Sequence, residues 1–166
     1  MYYRIWTVTN GFILIGSIIF IWFFRQHDGT LIIISQLLAQ LTVLLFIINL
    51  NMYFIFLIIR KTKKREIKIR LATISRYLMK GHIKIALFST IFTIGHIMIN
   101  IFKYGPMIGY LHIKMVMGYS SFSLLMITLI AGYQRHKKAS GFRKKFHRIM
   151  AMIFTFLFLL HMFIPI

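Results

Sequence analysis

The chain has 166 residues, of which 59% are hydrophobic, with a mean hydropathy of +0.79. A soluble domain of this length cannot bury so much apolar surface, so the composition excludes an ordinary water-soluble globule and sets an all-α integral membrane helical bundle as the expectation. The 21 Lys and Arg residues oppose only Asp28 and Glu66 but gather between apolar runs, which speaks for cytoplasmic loops and against nucleic acid, and the lack of cysteine excludes disulfides, thiolate metal sites and thiol-anchored cofactors.

The first apolar run covers residues 5–24. No small-residue cleavage site follows it, since Phe23-Phe24-Arg25-Gln26 comes next, so it reads as a retained helix rather than a signal peptide. A short polar turn, Arg25 to Thr30, leads to a second run over residues 31–59. That run exceeds the roughly 20 residues a span needs, so it must tilt or protrude. Gln36 and Gln40 share one of its faces, where they either cross-link helices or line a quinone pocket.

Residues 60–81 form a basic cytoplasmic segment with nine Lys and Arg and one acid. Ile67, Leu71, Ile74 and Leu78 recur at i, i+4, i+7 and i+11 and draw one apolar stripe along it. The stripe fits a helix lying on an anionic inner leaflet, a cytoplasmic extension of the next span, or a face packed on a partner subunit. The third span covers residues 82–102, and a turn at Gly105-Pro106 leads to a fourth over 110–133. A second basic link holds Arg135, Lys137, Lys138, Arg143, Lys144, Lys145 and Arg148, and the fifth span covers 146–163. The expectation is a single membrane domain, 1–166, of about five transmembrane helices. Alternate loops are basic, so the positive-inside rule puts the N-terminus inside and Ile166 outside.

Two of these spans carry a repeated spacing. His82 and His96 are fourteen residues apart, and so are His147 and His161. On an α-helix fourteen residues advance about 21 Å and return to within about 40° of the same face. One span separates the two histidine-bearing helices, so both run from inside to outside. His82 then matches His147 in depth near the inner surface, and His96 matches His161 towards the outer one. Two stacked bis-histidine layers suit two haem irons, His82 and His147 holding the inner and His96 and His161 the outer. Each imidazole must be neutral to ligate, and its other ring nitrogen needs an acceptor. Gly81 and Gly95 precede a histidine each, giving Gly-His-Ile twice, and would let a macrocycle approach the backbone. Ala86, Ser89 and Thr93 keep the face between His82 and His96 small, while Ala151, Phe154 and Phe158 offer packing against a porphyrin. Lys80, Lys84, Lys144, Lys145 and Arg148 surround the inner pair and could neutralise haem propionates. His112 begins the fourth span as a further candidate, either an alternative ligand, a quinone contact or an interfacial residue. His27 and His136 lie in turns and read as solvated.

The paired histidines and the repeated Gly-His-Ile resemble the membrane di-haem cytochrome b proteins, including cytochrome b of quinol-oxidising complexes. They also resemble the ferric reductase and NADPH oxidase membrane domains, where one helix lies between the two ligand helices. The fourth span, His-Ile-Lys-Met-Val-Met-Gly-Tyr-Ser and then Leu-Ile-Ala-Gly-Tyr-Gln, looks like the corresponding helix of ascorbate-type and small bacterial b cytochromes. The likeness covers residues 79–166 and does not extend clearly to the first two spans. It implies two haem b groups, with quinone as a further candidate, in a prokaryotic cytoplasmic membrane. There is no flavin or nicotinamide domain, so the implied role is an electron-transfer subunit of an oxidoreductase complex rather than a complete enzyme. Its partners would be other subunits of a redox complex and a bilayer with an anionic inner leaflet. The competing expectation is a haem-free anchor or scaffold subunit whose basic face docks an acidic partner or anionic lipid. A histidine-based ion carrier ranks lowest, because both acids fall in loops.

Overall fold

A computed structural model describes every residue except Met1, Gln26, Asp28, Ala139 and Ile166. Gln26 and Asp28 of the polar turn, and Ile166 as the expected outer end, thus lie outside the described residues. The fold is all-α, with no strand among the described residues. Its helices are α1 (Tyr2–Phe23), α2 (Thr30–Lys61), α3 (Arg65–Lys103), the single turn α4 (Gly105–Ile108), α5 (Ile113–Lys137) and α6 (Gly141–Phe163). All but α4 are long and apolar enough to cross a membrane. Large apolar side chains such as Phe12, Leu31, Ile91, Ile130 and Phe156 stay exposed along them. An exterior of this kind suits lipid rather than water and is that of an integral membrane protein.

The spans can carry hydroxyl residues because the helices themselves satisfy them. Thr90 donates to the Ala86 carbonyl, Thr93 to Ser89, Ser121 to Met117, Thr128 to Leu124 and Thr155 to Ala151. The basic segment is not a loop. Only Thr62, Lys63 and Lys64 separate α2 from α3, and α3 continues without a break into the third span. The stripe thus lies on a helical extension of the third span, as one of its readings expected.

The chain divides into two compact units, Met1–His96 and Ile97–Ile166. In the first, α1 and α2 pack antiparallel. Near one end the Trp6 indole donates to Asn51 Oδ1, and further along Gln40 Nε2 donates to Ser17 Oγ at 3.3 Å. Ser17, fully buried, also donates to the Leu14 carbonyl. Gln40 therefore cross-links two helices. Beyond it, Ile55 and Ile58 of α2 form an apolar cluster with Leu71 of α3, flanked by Trp6, Ile59 and Leu78. Leu71 and Leu78 of the stripe turn inward there, whereas Ile67 and Ile74 remain exposed.

In the second unit α5 and α6 form a closely packed antiparallel hairpin. Pro106 occupies the first turn of α4, and Gly109, at φ 86, ends it in a conformation that favours glycine. Ser140 caps α6 by accepting from the Arg143 N–H. Arg143 in turn donates to the carbonyls of Gln134 and Lys138 at the end of α5, where a cation offsets the helix dipole.

Candidate functional site

All four histidines with the fourteen-residue spacing are half-buried on their helices, and each presents Nδ1 to an oxygen on a neighbouring helix. In the first unit His82 Nδ1 lies 3.1 Å from Asn49 Oδ1. His96 Nδ1 lies 3.0 Å from the Ser35 carbonyl and also 3.0 Å from Ser35 Oγ. In the second unit His147 Nδ1 is 3.1 Å from the Thr128 carbonyl, and His161 Nδ1 is 3.0 Å from the Lys114 carbonyl.

A backbone carbonyl oxygen has no proton to give, so the contacts of His96, His147 and His161 require the hydrogen on Nδ1. At His82 the Asn49 amide oxygen faces Nδ1 and favours the same tautomer. A neutral imidazole with its proton on Nδ1 carries its lone pair on Nε2. That is the arrangement of a metal-ligating histidine, whose orientation is set by a bond from its other nitrogen.

The acceptors share the histidines' period. Ser35 and Asn49 are fourteen residues apart on α2, and Lys114 and Thr128 are fourteen apart on α5. In each antiparallel pair the histidine moves one way along its helix as its acceptor moves the other. The same register places two glycines of α5, again fourteen apart, against the rings of α6. A Cβ on Gly118 would come within 3.0 Å of His161 Cε1, and one on Gly132 within 3.2 Å of His147 Cε1. Both contacts are tighter than a Cβ ordinarily makes, so a methyl group there would press each ring to shift by a few tenths of an ångström, and each ring lies against bare backbone. Gly95 plays a comparable part on α3, where a Cβ would lie 3.0 Å from Leu38 of α2; at Gly81 the nearest atom is Ile85 Cδ1 at 3.4 Å.

Other candidates fall in different settings. Lys80 and Lys84 of α3 and Lys144, Lys145 and Arg148 of α6 are exposed. They lie within one turn of His82 or His147 on their own helices. Ser89 is buried, and the tilted Phe154 and Phe158 rings lie 5.8 Å apart. His112 caps α5, accepting the Lys114 N–H at 3.3 Å through Nδ1, the opposite use of that atom from the four histidines above. His27 is exposed beside the Trp22 ring, and His136 is exposed in the last turn of α5. Lys114, not singled out from the sequence, is buried, and its ammonium donates to the Ile164 carbonyl beyond the end of α6.

Among the described residues no group of three or more His, Cys, Asp or Glu side chains could hold a metal ion. A zinc-type site needs such a group, whereas haem iron asks the protein for one or two axial ligands. No family model, curated protein or solved structure matches this chain.

Sequence reasoning missed Asn49, Ser35, Gly118 and Gly132. The signal was present: a search of the other spans for residues at the histidines' own spacing finds a polar pair on α2 and a glycine pair on α5.

Proposed function

We propose that this chain is a b-type di-haem cytochrome subunit, carrying electrons across the membrane between quinone or quinol and a partner redox protein. The observation that carries the reading is the common state of four histidines. Each spends its Nδ1 proton on an oxygen acceptor, which directs its lone pair to Nε2. A structural histidine in a membrane helix has no reason to repeat that arrangement four times at one spacing.

His82 and His147 would hold the inner haem, and His96 and His161 the outer, a pairing that follows from the order and direction of the spans. Iron with two imidazole ligands is six-coordinate, so it exchanges electrons without offering a position to oxygen. The chain's residues supply the rest. The oxygen acceptors hold each imidazole in one tautomer and one orientation. Gly118 and Gly132 let the α6 rings sit against the α5 backbone. Lys80, Lys84, Lys144, Lys145 and Arg148 provide exposed cations for the propionates of the inner group, and the remaining basic surface suits anionic headgroups or an acidic redox partner.

Purified protein should contain two haems per chain and show a b-type band in its reduced-minus-oxidised spectrum. His82→Ala and His147→Ala should each remove the same haem, and His96→Ala and His161→Ala the other. A colourless preparation would sink the reading and leave the haem-free anchor in its place.

A further inference from the structure

We infer that Asn49 is a positioning residue that sets the redox potential of the inner haem through His82. The inference rests on the haem ligation proposed above and assigns a role to a residue that carries no ligand.

The four ligand candidates are alike in tautomer but differ in what holds them. His96, His147 and His161 each have a backbone carbonyl at Nδ1, from Ser35, Thr128 and Lys114. Those carbonyls belong to helices and hold their positions whatever side chain is present. His82 instead meets the side-chain Oδ1 of Asn49 at 3.1 Å. Its acceptor strength is therefore open to change by a single residue, whereas His147 and His161 rest on backbone carbonyls and His96 keeps the Ser35 carbonyl whatever replaces the Ser35 hydroxyl beside it.

Placement also speaks for a built contact. Asn49 lies fourteen residues from Ser35, the spacing that separates His82 from His96. In this hairpin α2 offers one acceptor to each histidine of α3, and Asn49 is the one assigned to the inner level. A stronger acceptor draws the Nδ1 proton away, makes the ring more electron-donating at Nε2 and favours ferric iron. A missing acceptor does the reverse.

The test uses the haem-loaded protein with Asn49→Asp, Asn49→Leu and Asn49→Ser. Haem per chain, the two midpoint potentials and the low-temperature paramagnetic resonance of the ferric centres would be measured. The single-haem variants His96→Ala and His82→Ala assign the signals to the inner and outer sites. We expect Asn49→Asp to lower the inner midpoint and Asn49→Leu to raise it, with the resonance of that centre moving alongside and the outer centre unchanged. Loss of the inner haem in Asn49→Leu and its return in Asn49→Asp or Asn49→Ser would support the same role. Two haems with unaltered midpoints in all three variants would overturn it and leave the ligation intact, as would equal shifts at both centres. Wild-type protein without haem would instead overturn the ligation itself.

Discussion

A histidine's function in a membrane helix is decided by which nitrogen keeps its proton, and here the neighbouring helices decide. On α5 the device is compact. The carbonyls of Lys114 and Thr128 accept from the His161 and His147 rings, and four residues on, Gly118 and Gly132 clear the space those rings fill. The rings cannot retreat from a new Cβ without stretching bonds of 3.0 and 3.1 Å. Gly118→Leu should therefore displace His161, and Gly132→Leu should displace His147, at a cost of about 1–3 kcal/mol for overpacking. If the proposed ligation holds, each variant should lose about one of two haems, read as the haem-to-protein ratio, and the conservative Gly118→Ala should suffer more than Gly132→Ala because its contact is shorter. Retention of both haems in the leucine variants would show that the rings are not confined as described. The histidines themselves were legible in the sequence, since both members of each pair sit on one helix and share its period. Their acceptors were legible only as residues sharing the fourteen-residue spacing, because which of them meets which histidine depends on a register that neither helix states alone.

At the scale of elements, length was legible, whereas continuity stood as one of several readings. Five apolar runs announce five spans, and all five form helices long and apolar enough to cross a membrane. The basic stretch between the second and third is hydrophilic, yet Lys and Arg are good helix formers, and after the short link at Thr62, Lys63 and Lys64 no Pro or Gly interrupts residues 65–80. As a result α2 extends about 48 Å and α3 about 58 Å, both well beyond the roughly 30 Å of a hydrocarbon core. The surplus at their connected ends is held by Leu71 lying on Ile55 and Ile58. Leu→Ala in a core costs about 2–5 kcal/mol. Leu71 should fall at the lower end, because Ile67 and Ile74 beside it remain exposed and add little packing. Leu71→Ala should thus loosen the extension alone. Limited trypsin digestion at Arg70 and Arg76, both exposed, should quicken several-fold while the haem content stays at the wild-type value. Equal digestion rates would mean that the cluster does not hold the extension down.

For the molecule as a whole, the distribution of charge carries the expected orientation, and that orientation carries the names inner and outer given to the two proposed haem sites. Nine basic residues and one acid fall between residues 60 and 80, and seven more basic residues fall between 135 and 148. Lys103 and Lys114 lie at the opposite ends of the spans. The Lys114 ammonium donates to the Ile164 carbonyl, so its charge is engaged by the end of α6 and is a poor rival to the basic links. The chain lacks cysteine, which allows single cysteines to report each face without a background. Thr62→Cys lies in the first basic link. Gly141→Cys lies at the second, where a Cβ meets nothing within 4 Å, and Leu111→Cys lies in the opposite turn, where the native side chain is 90% exposed. A membrane-impermeant maleimide should label the first two in inverted vesicles and only the third in right-side-out vesicles. The reverse pattern would turn the protein over and exchange the two haem assignments, leaving the histidine pairs as they are. Labelling of all three from one side would break the alternation of the spans. His82 would then no longer match His147 in depth, and the proposed pairing, with the electron transfer proposed to run through it, would fall.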